Sequence, residues 1–248
     1  MSGPVRVEVV DRVAVVTLSR PQVLNALNLE ALRALAAALG EHGRGSGGIV
    51  ITGQGRAFSS GDDLKASEGM DRARFVEVID AFQEITRAIL RTEVPVAAAL
   101  NGIAVGGAAE ISFACDLRIG CPATEFLLPE NGLGLTISNG STVTLPALVG
   151  RRAIGVVLSG ERIGAERAQA LGLIDVMADD AGQVVSEAVR RVSALTAEGM
   201  ATAIHLRMLR PEPDAIERAL EAETVAALEA WDAGLPQQGI ARFVRSRR

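Results

Sequence analysis

The chain has 248 residues, of which 48% are hydrophobic and 22% charged, with a formal net charge of −5. That length buries a substantial core, and the apolar content is too high for a disordered chain. The negative balance argues against a nucleic-acid partner, and no run approaches the ~20 apolar residues that span a bilayer, so no membrane partner is expected.

The first elements are two β-branched runs, Val5–Val10 and Val13–Leu18, separated by Asp11-Arg12 and therefore read as a hairpin. Asn28 is placed to cap a helix from about Leu29 to Leu39, with Gly40 as its stop. Gly47-Gly48 leads into a strand at Ile49–Thr52. Asp71 starts an amphipathic helix, Arg72 to Arg91, whose apolar face is Phe75, Val78, Ile79, Phe82, Ile85 and Ile89. Pro95 opens the short run Val96–Leu100, which ends at the turn dipeptide Asn101-Gly102. An apolar helix follows Gly106-Gly107 and runs to Ala114, and Asp116–Ile119 reads as a strand. From Gln183 onward the pattern is helical: Val184–Thr196, Ala201–Leu209, Pro213–Ala230 and Gly239–Arg247. Short strands alternating with helices predict an α/β fold with buried strands, followed by a helical carboxyl-terminal part.

Several chemistries are disfavoured. Cys115 and Cys121 are too few for a disulfide framework, lack a metal-ligand pattern and are expected to be buried thiols. The two histidines are His42, in an expected Gly-rich loop, and His205, in a helical stretch. No Gly-x-Ser-x-Gly elbow is present, so histidine-based hydrolysis and zinc sites are not expected. Arg6 and Glu8 interrupt the place where a signal peptide needs its apolar stretch, which makes a cytoplasmic location the default expectation.

Two glycine turns offer chemistry instead. One is Ser59-Ser60-Gly61-Asp62-Asp63-Leu64-Lys65 and the other is Val105-Gly106-Gly107-Ala108-Ala109-Glu110, each following a strand. Glycine lets a ligand approach the main chain, and a helix amino terminus offers unpaired N–H groups. Two such turns facing each other would present two donors to one oxygen, as an oxyanion requires. Neither is a dinucleotide fingerprint or a P-loop, and turns of this kind are common without any ligand. Glu110 and Glu130 both follow or begin apolar stretches. Each is explained equally by the preference for acids in a first helical turn, Glu130 behind Pro129 at N1. A carboxyl in apolar surroundings is also suited to proton transfer, and a close pair separates into one acid and one base.

These segments resemble the enoyl-CoA hydratase/isomerase (crotonase) superfamily over nearly the whole chain. Leu18-Ser19-Arg20-Pro21-Gln22-Val23-Leu24-Asn25-Ala26-Leu27 is similar to the family's L-x-R-P-x-x-x-N-A-L segment. Phe58–Lys65 resembles its F-x-x-G-x-D-[LI]-K turn, and Pro95–Ile119 its long block carrying N-G-x-A-x-G-G-x-x-E. Leu158–Ile163 and Gln169–Asp175 follow in the family's order. The resemblance implies a ββα spiral core over residues 1–182 and a carboxyl-terminal helical oligomerisation region over 183–248. It implies a homotrimer or a dimer of trimers, with a coenzyme A thioester as substrate and no permanently bound cofactor. The Asp62 and Gly107 N–H groups would form the oxyanion hole. Glu110 and Glu130 would be the catalytic pair that adds water to a trans-2-enoyl-CoA. Gln22, Val23, Leu24, Ser60, Asp62, Leu64 and Lys65 would border the CoA portion, and Lys65 or the arginines of Arg242–Arg248 would meet its phosphates.

Two departures bear on substrate. Asp62 stands where the family most often has alanine, and its carboxylate could repel an enolate or touch the substrate. After Glu130 the common G-x-G-G-T stretch is replaced by Ile137-Ser138-Asn139-Gly140-Ser141-Thr142. The Phe75–Ile89 face would line part of an acyl pocket, although core packing explains such a stripe as well. The alternatives are Δ3,Δ2-enoyl-CoA isomerisation through Glu130 alone, another crotonase-type reaction, or a non-catalytic acyl-CoA-binding protein.

Overall fold

The computed structural model describes residues 3–245 and opens on the expected hairpin. Strands β1 (Val5–Val10) and β2 (Val13–Leu18) are antiparallel. Asp11 (φ 48°) and Arg12 (φ 68°) join them in the left-handed conformation that matches strand twist. A 3-10 turn at Pro21–Val23 leads to α1 (Leu29–His42), where the Asn28 side chain accepts from the Ala31 N–H at 3.0 Å. The helix overruns the expected stop at Gly40 and takes in His42, because glycine permits a left-handed stop without imposing one.

An alternation between two sheets then repeats three times, each round giving one strand to each sheet and then a helix. The rounds are β3 (Gly48–Gly53), β4 (Ala57–Ser59) and α2 (Arg72–Arg91); β5 (Val96–Ala99), β6 (Ile103–Val105) and α3 (Gly107–Ala114); β7 (Leu117–Gly120), β8 (Glu125–Leu127) and α4 (Glu130–Leu133). The chain continues through α5 (Ser141–Val149), α6 (Ala153–Ser159), β9 (Ile163–Gly164), α7 (Ala165–Leu171) and β10 (Val176–Met177). It ends in α8 (Val184–Ala194), α9 (Thr202–Leu209), α10 (Pro213–Asp232) and α11 (Leu235–Arg245). Sequence patterning left the stretch between α4 and β10 unassigned, since its elements are too short to show a period.

The larger sheet runs β1-β2-β3-β5-β7-β10 and the smaller β4-β6-β8-β9. In the larger sheet β2, β3, β5, β7 and β10 are parallel, and β3 and β5 are buried along their whole length, as a sheet covered on both faces must be. Residues of α8, Val184, Ala188, Val189 and Val192, cover one face against Val13, Val15, Val50, Ala97 and Ala99. The other face meets α1, α2 and α3 in the main core, which also takes in Phe58 and Phe126 of the smaller sheet.

Three further expectations change. Helix α11 starts at Leu235, ahead of the expected Gly239, because Gly239 is a mid-helix contact: a Cβ there would lie 1.7 Å from the Leu133 carbonyl oxygen. Residues 246 and 247, at the end of that expected helix, lie outside the described residues. Glu130 opens α4 with Pro129 just before the helix, so proline takes the cap position and not N1. Ser141–Ser159, which no apolar count singled out, is long and apolar enough to cross a membrane by length and composition. Here Leu145, Val149, Ala153 and Val156 of that stretch pack into the main core.

Candidate active site

The first glycine turn is held in place by two side chains upstream. Asn25, itself at φ 56°, is buried and donates through Nδ2 to the carbonyls of Gln54, Ala57 and Phe58 at 3.0, 2.9 and 3.2 Å. Arg20 donates to the Ala26 carbonyl at 2.6 Å and pairs with Asp63 at 3.0 Å. Leu27 then bonds the Gly61 carbonyl and the Asp63 N–H on either side of Asp62. In such a bridge the intervening residue's N–H points the opposite way, so the Asp62 N–H faces away from Leu27.

The second turn places Gly106 (φ 54°, ψ −129°) ahead of α3, with the Gly107 N–H at the helix start. That N–H is among those with no acceptor inside the helix. The turns are neighbours: a Cβ on Gly61 would lie 2.4 Å from the Val105 oxygen and 3.7 Å from the Gly107 nitrogen. A Cβ on Gly106 would come within 2.7 Å of Glu130 Oε1, and one on Gly107 within 2.6 Å of the Phe82 ring. Backbone donors, Glu130 and an aromatic wall therefore meet at one place, and glycine is required there by both φ and space.

Glu110 lies in the first turn of α3 and is 1% exposed. Its Oε1 accepts from the Ser138 N–H at 2.9 Å, and its Oε2 from Ser138 Oγ at 3.1 Å and Asn139 Nδ2 at 2.6 Å. Burial pushes its pKa well above the usual carboxylate range, the charge of Glu130 adds to this, and the Ser138 donors pull back. Glu130, 7% exposed, is pushed up to about 7 by burial, and its Oε2 is buried with no donor among the described residues. Two carboxyls that act on one another in a dry site share a proton more readily than they ionise together. One is tethered by three donors, and the other has an oxygen without a donor among the described residues.

Asp62 turns its carboxyl toward Ser67 Oγ, at 3.2 and 3.4 Å, and burial raises it to about 7. Its charge is therefore partly suppressed near neutrality. Ser60 joins the remaining expected binding residues: its N–H donates to the Leu24 carbonyl at 2.9 Å and its Oγ to the Val23 carbonyl at 3.2 Å. Gln22, Val23 and Lys65 are exposed, and Leu64 is half-buried. Among the carboxyl-terminal arginines, Arg242 reaches the Gly132 carbonyl at 3.4 Å, whereas 246–248 lie outside the described residues.

The α2 face divides between the glycine turns and the core. Phe82 borders Gly107, Ile85 and Ile89 enter the main core, and Phe75 stacks on Trp231 of α10 at 4.4 Å. A cavity of about 500 Å³ bounded by Phe113, Met200, His205 and Arg210 lies elsewhere and contains neither acid. Cys115 lines it as a free thiol raised to about 12 by burial. Sequence reasoning missed Ser138 and Asn139 as partners of Glu110, although it marked 137–142 as unusual. It also missed Glu223, whose position in the apolar stripe Ile216, Leu220, Ala227 and Trp231 of α10 was a visible signal.

Comparison with known proteins places this chain in a family. The family model described as enoyl-CoA hydratase/isomerase matches residues 8–244. The chain belongs to the enoyl-CoA hydratase/isomerase family. Within it, the crotonyl-CoA hydratase of Syntrophomonas wolfei is 32% identical over 222 residues, spanning 83% of this chain and 85% of that protein. A Rhodobacter capsulatus relative, described as "Probable enoyl-CoA hydratase", is 39% identical over 173 residues, 68% of this chain and 66% of its own. The crystal structure of an enoyl-CoA hydratase from Mycobacterium avium subsp. paratuberculosis superposes with a TM-score of 0.86 at 26% identity, covering 100% of this chain and 98% of that one. The alternating two-sheet spiral is thus the crotonase fold expected from the resemblance.

Proposed function

We propose that this family member adds water across the 2,3-double bond of a trans-2-enoyl-CoA thioester. The observation that carries the reading is the buried pair Glu110 and Glu130, both raised in pKa, beside the Gly106-Gly107 turn that faces Gly61-Asp62. In this reading the thioester oxygen accepts from the Asp62 and Gly107 N–H groups, which favour the charged enolate over the neutral carbonyl. Glu110, oriented by Ser138 and Asn139, takes a proton from water as the water oxygen bonds to the β-carbon. The double-bond pair moves onto the thioester oxygen, and Glu130 gives its proton to the α-carbon as the enolate collapses. The proton then passes back between the two carboxyls. The CoA portion would run past Gln22, Val23, Leu24, Ser60 and Leu64, with Lys65 and Arg242 near its phosphates.

The test is loss of conjugated enoyl-thioester absorbance with crotonyl-CoA. Glu130→Gln is expected to lower the rate by ~10²–10³-fold or more. A variant as fast as the wild type would overturn the assignment. A second reading, Δ3,Δ2-isomerisation through Glu130 alone, is favoured by one observation: three donors already engage Glu110. Incorporation of solvent ¹⁸O at the β-carbon separates the two, since isomerisation adds no water. We further propose a cytoplasmic homotrimer or dimer of trimers. The exposure of Ile204, Met208 and Leu209 on α9, 50%, 71% and 83%, supports a subunit contact there.

A further inference from the structure

Glu223 occupies the apolar stripe of α10 and is 4% exposed. A carboxylate persists in such a place only when its oxygens are satisfied. Among the described residues its donors come from the turn that enters α5: the Gly140 N–H at 2.8 Å, the Thr142 N–H at 2.9 Å and Thr142 Oγ at 2.6 Å. The same turn, at Ser138 and Asn139, supplies the donors to Glu110. Asn139 (φ 61°) and Gly140 (φ 74°) are both left-handed, so the chain enters α5 through an irregular turn, closed by the Ser141 N–H on the Ser138 carbonyl at 2.9 Å. Side chains from two helices add to this hold. Thr86 of α2 donates to the Asn139 carbonyl at 2.9 Å. Gln83 of α2 donates to the Leu220 carbonyl at 3.0 Å and Thr224 Oγ at 2.8 Å, fixing α10 on both sides of Glu223.

We propose that Glu223 is a positioning residue for Glu110: by clamping the 138–142 turn from α10, it fixes the three donors that orient the Glu110 carboxyl. The proposal rests on Glu110 belonging to the reacting site, as in the hydratase reading. It gives the carboxyl-terminal helices a role inside their own subunit. Helix α11 packs on the element that carries the other acid, since Gly239 lies against the Leu133 carbonyl of α4, the helix that Glu130 opens. The charged groups acting on Glu110 are Glu130 and Glu223, both of which raise it. The Ser138 donors together pull Glu110 down more than the Glu223 charge pushes it up, so losing the clamp raises the Glu110 pKa, whereas simple loosening, which admits water, lowers it.

The experiment compares the full-length wild type with Glu223→Gln and Glu223→Asp. It measures kcat and KM for crotonyl-CoA between pH 5 and 9, and hydrogen exchange at the amides of residues 138–142. In Glu223→Gln we expect kcat to fall by about 10–100-fold with KM changed little, as for a misplaced catalytic group. The acid limb of the kcat profile shifts to higher pH, while Glu223→Asp keeps the wild-type limb. The Ser138 amide, which Glu223 does not touch, exchanges faster. A folded Glu223→Gln with wild-type kcat and limb, or with a wild-type Ser138 exchange rate, overturns the proposal. Should Glu223→Gln fail to fold, Thr142→Val removes one donor and must lower kcat in the same direction; an unchanged kcat is equally fatal. A wild type that does not hydrate crotonyl-CoA sinks the hydratase reading, while Ser138 exchange still decides whether Glu223 holds the turn.

Discussion

Replacing Gly61 by alanine tests whether the two glycine turns must touch. The new methyl would sit 2.4 Å from the Val105 carbonyl oxygen, a backbone atom with no rotamer to yield. Ordinary carbon–oxygen contact needs roughly 3.3 Å, so the turns must separate by about 1 Å. Gly61 also has φ 78°, where a residue with Cβ costs about 1–2 kcal/mol. On the proposed hydratase reading, a displacement of that size carries one oxyanion donor beyond hydrogen-bond range, and losing one donor lowers kcat by about 10²–10³-fold. Stability suffers less, by about 1–3 kcal/mol, or a few degrees in Tm for a domain this large. Gly69→Ala is the control, because Gly69 shares the positive φ (75°) yet a Cβ there meets nothing within 4 Å. The assay is kcat with an enoyl-CoA alongside thermal unfolding of both variants. Should folded Gly61→Ala keep kcat within about threefold of wild type, the facing-turn geometry is wrong.

Two further outcomes follow from the same contacts. Burial raises Asp62 to about 7. The native state therefore holds its proton more tightly than the unfolded chain, and that stabilisation, complete below about pH 4, is lost as pH rises through about 7. Asp62→Asn cannot ionise and escapes this loss, so its Tm minus that of the wild type should increase between those limits and level off above them; a pH-independent difference would contradict the burial argument. Gly239→Ala favours helix by about 1 kcal/mol on propensity alone. Even so, it should destabilise by about 1–3 kcal/mol in denaturant unfolding and lower kcat, because its methyl meets the Leu133 oxygen.

The amino-acid pattern alone determined whatever neighbours in the chain decide. Asn28 and Asp71 cap the helices that begin one residue later, at the expected places. The Asp11-Arg12 hairpin formed, and the glycines at 61, 106 and 107 marked the turns, because positive φ and close approach leave few other choices. Glu110 and Glu130 stood out as acids set in apolar stretches, and the structure brings both to the same turn. Local pattern did not show how those acids are held. Gly140 meets Glu223 from 83 residues away, Glu110 meets Asn139 from 29, and Gly239 enters a helix because a distant carbonyl leaves no room for a side chain. A polar side chain in an apolar stripe announces that it needs a partner. Only packing decides which backbone turn supplies it, since that choice is made by burial of the surrounding helices.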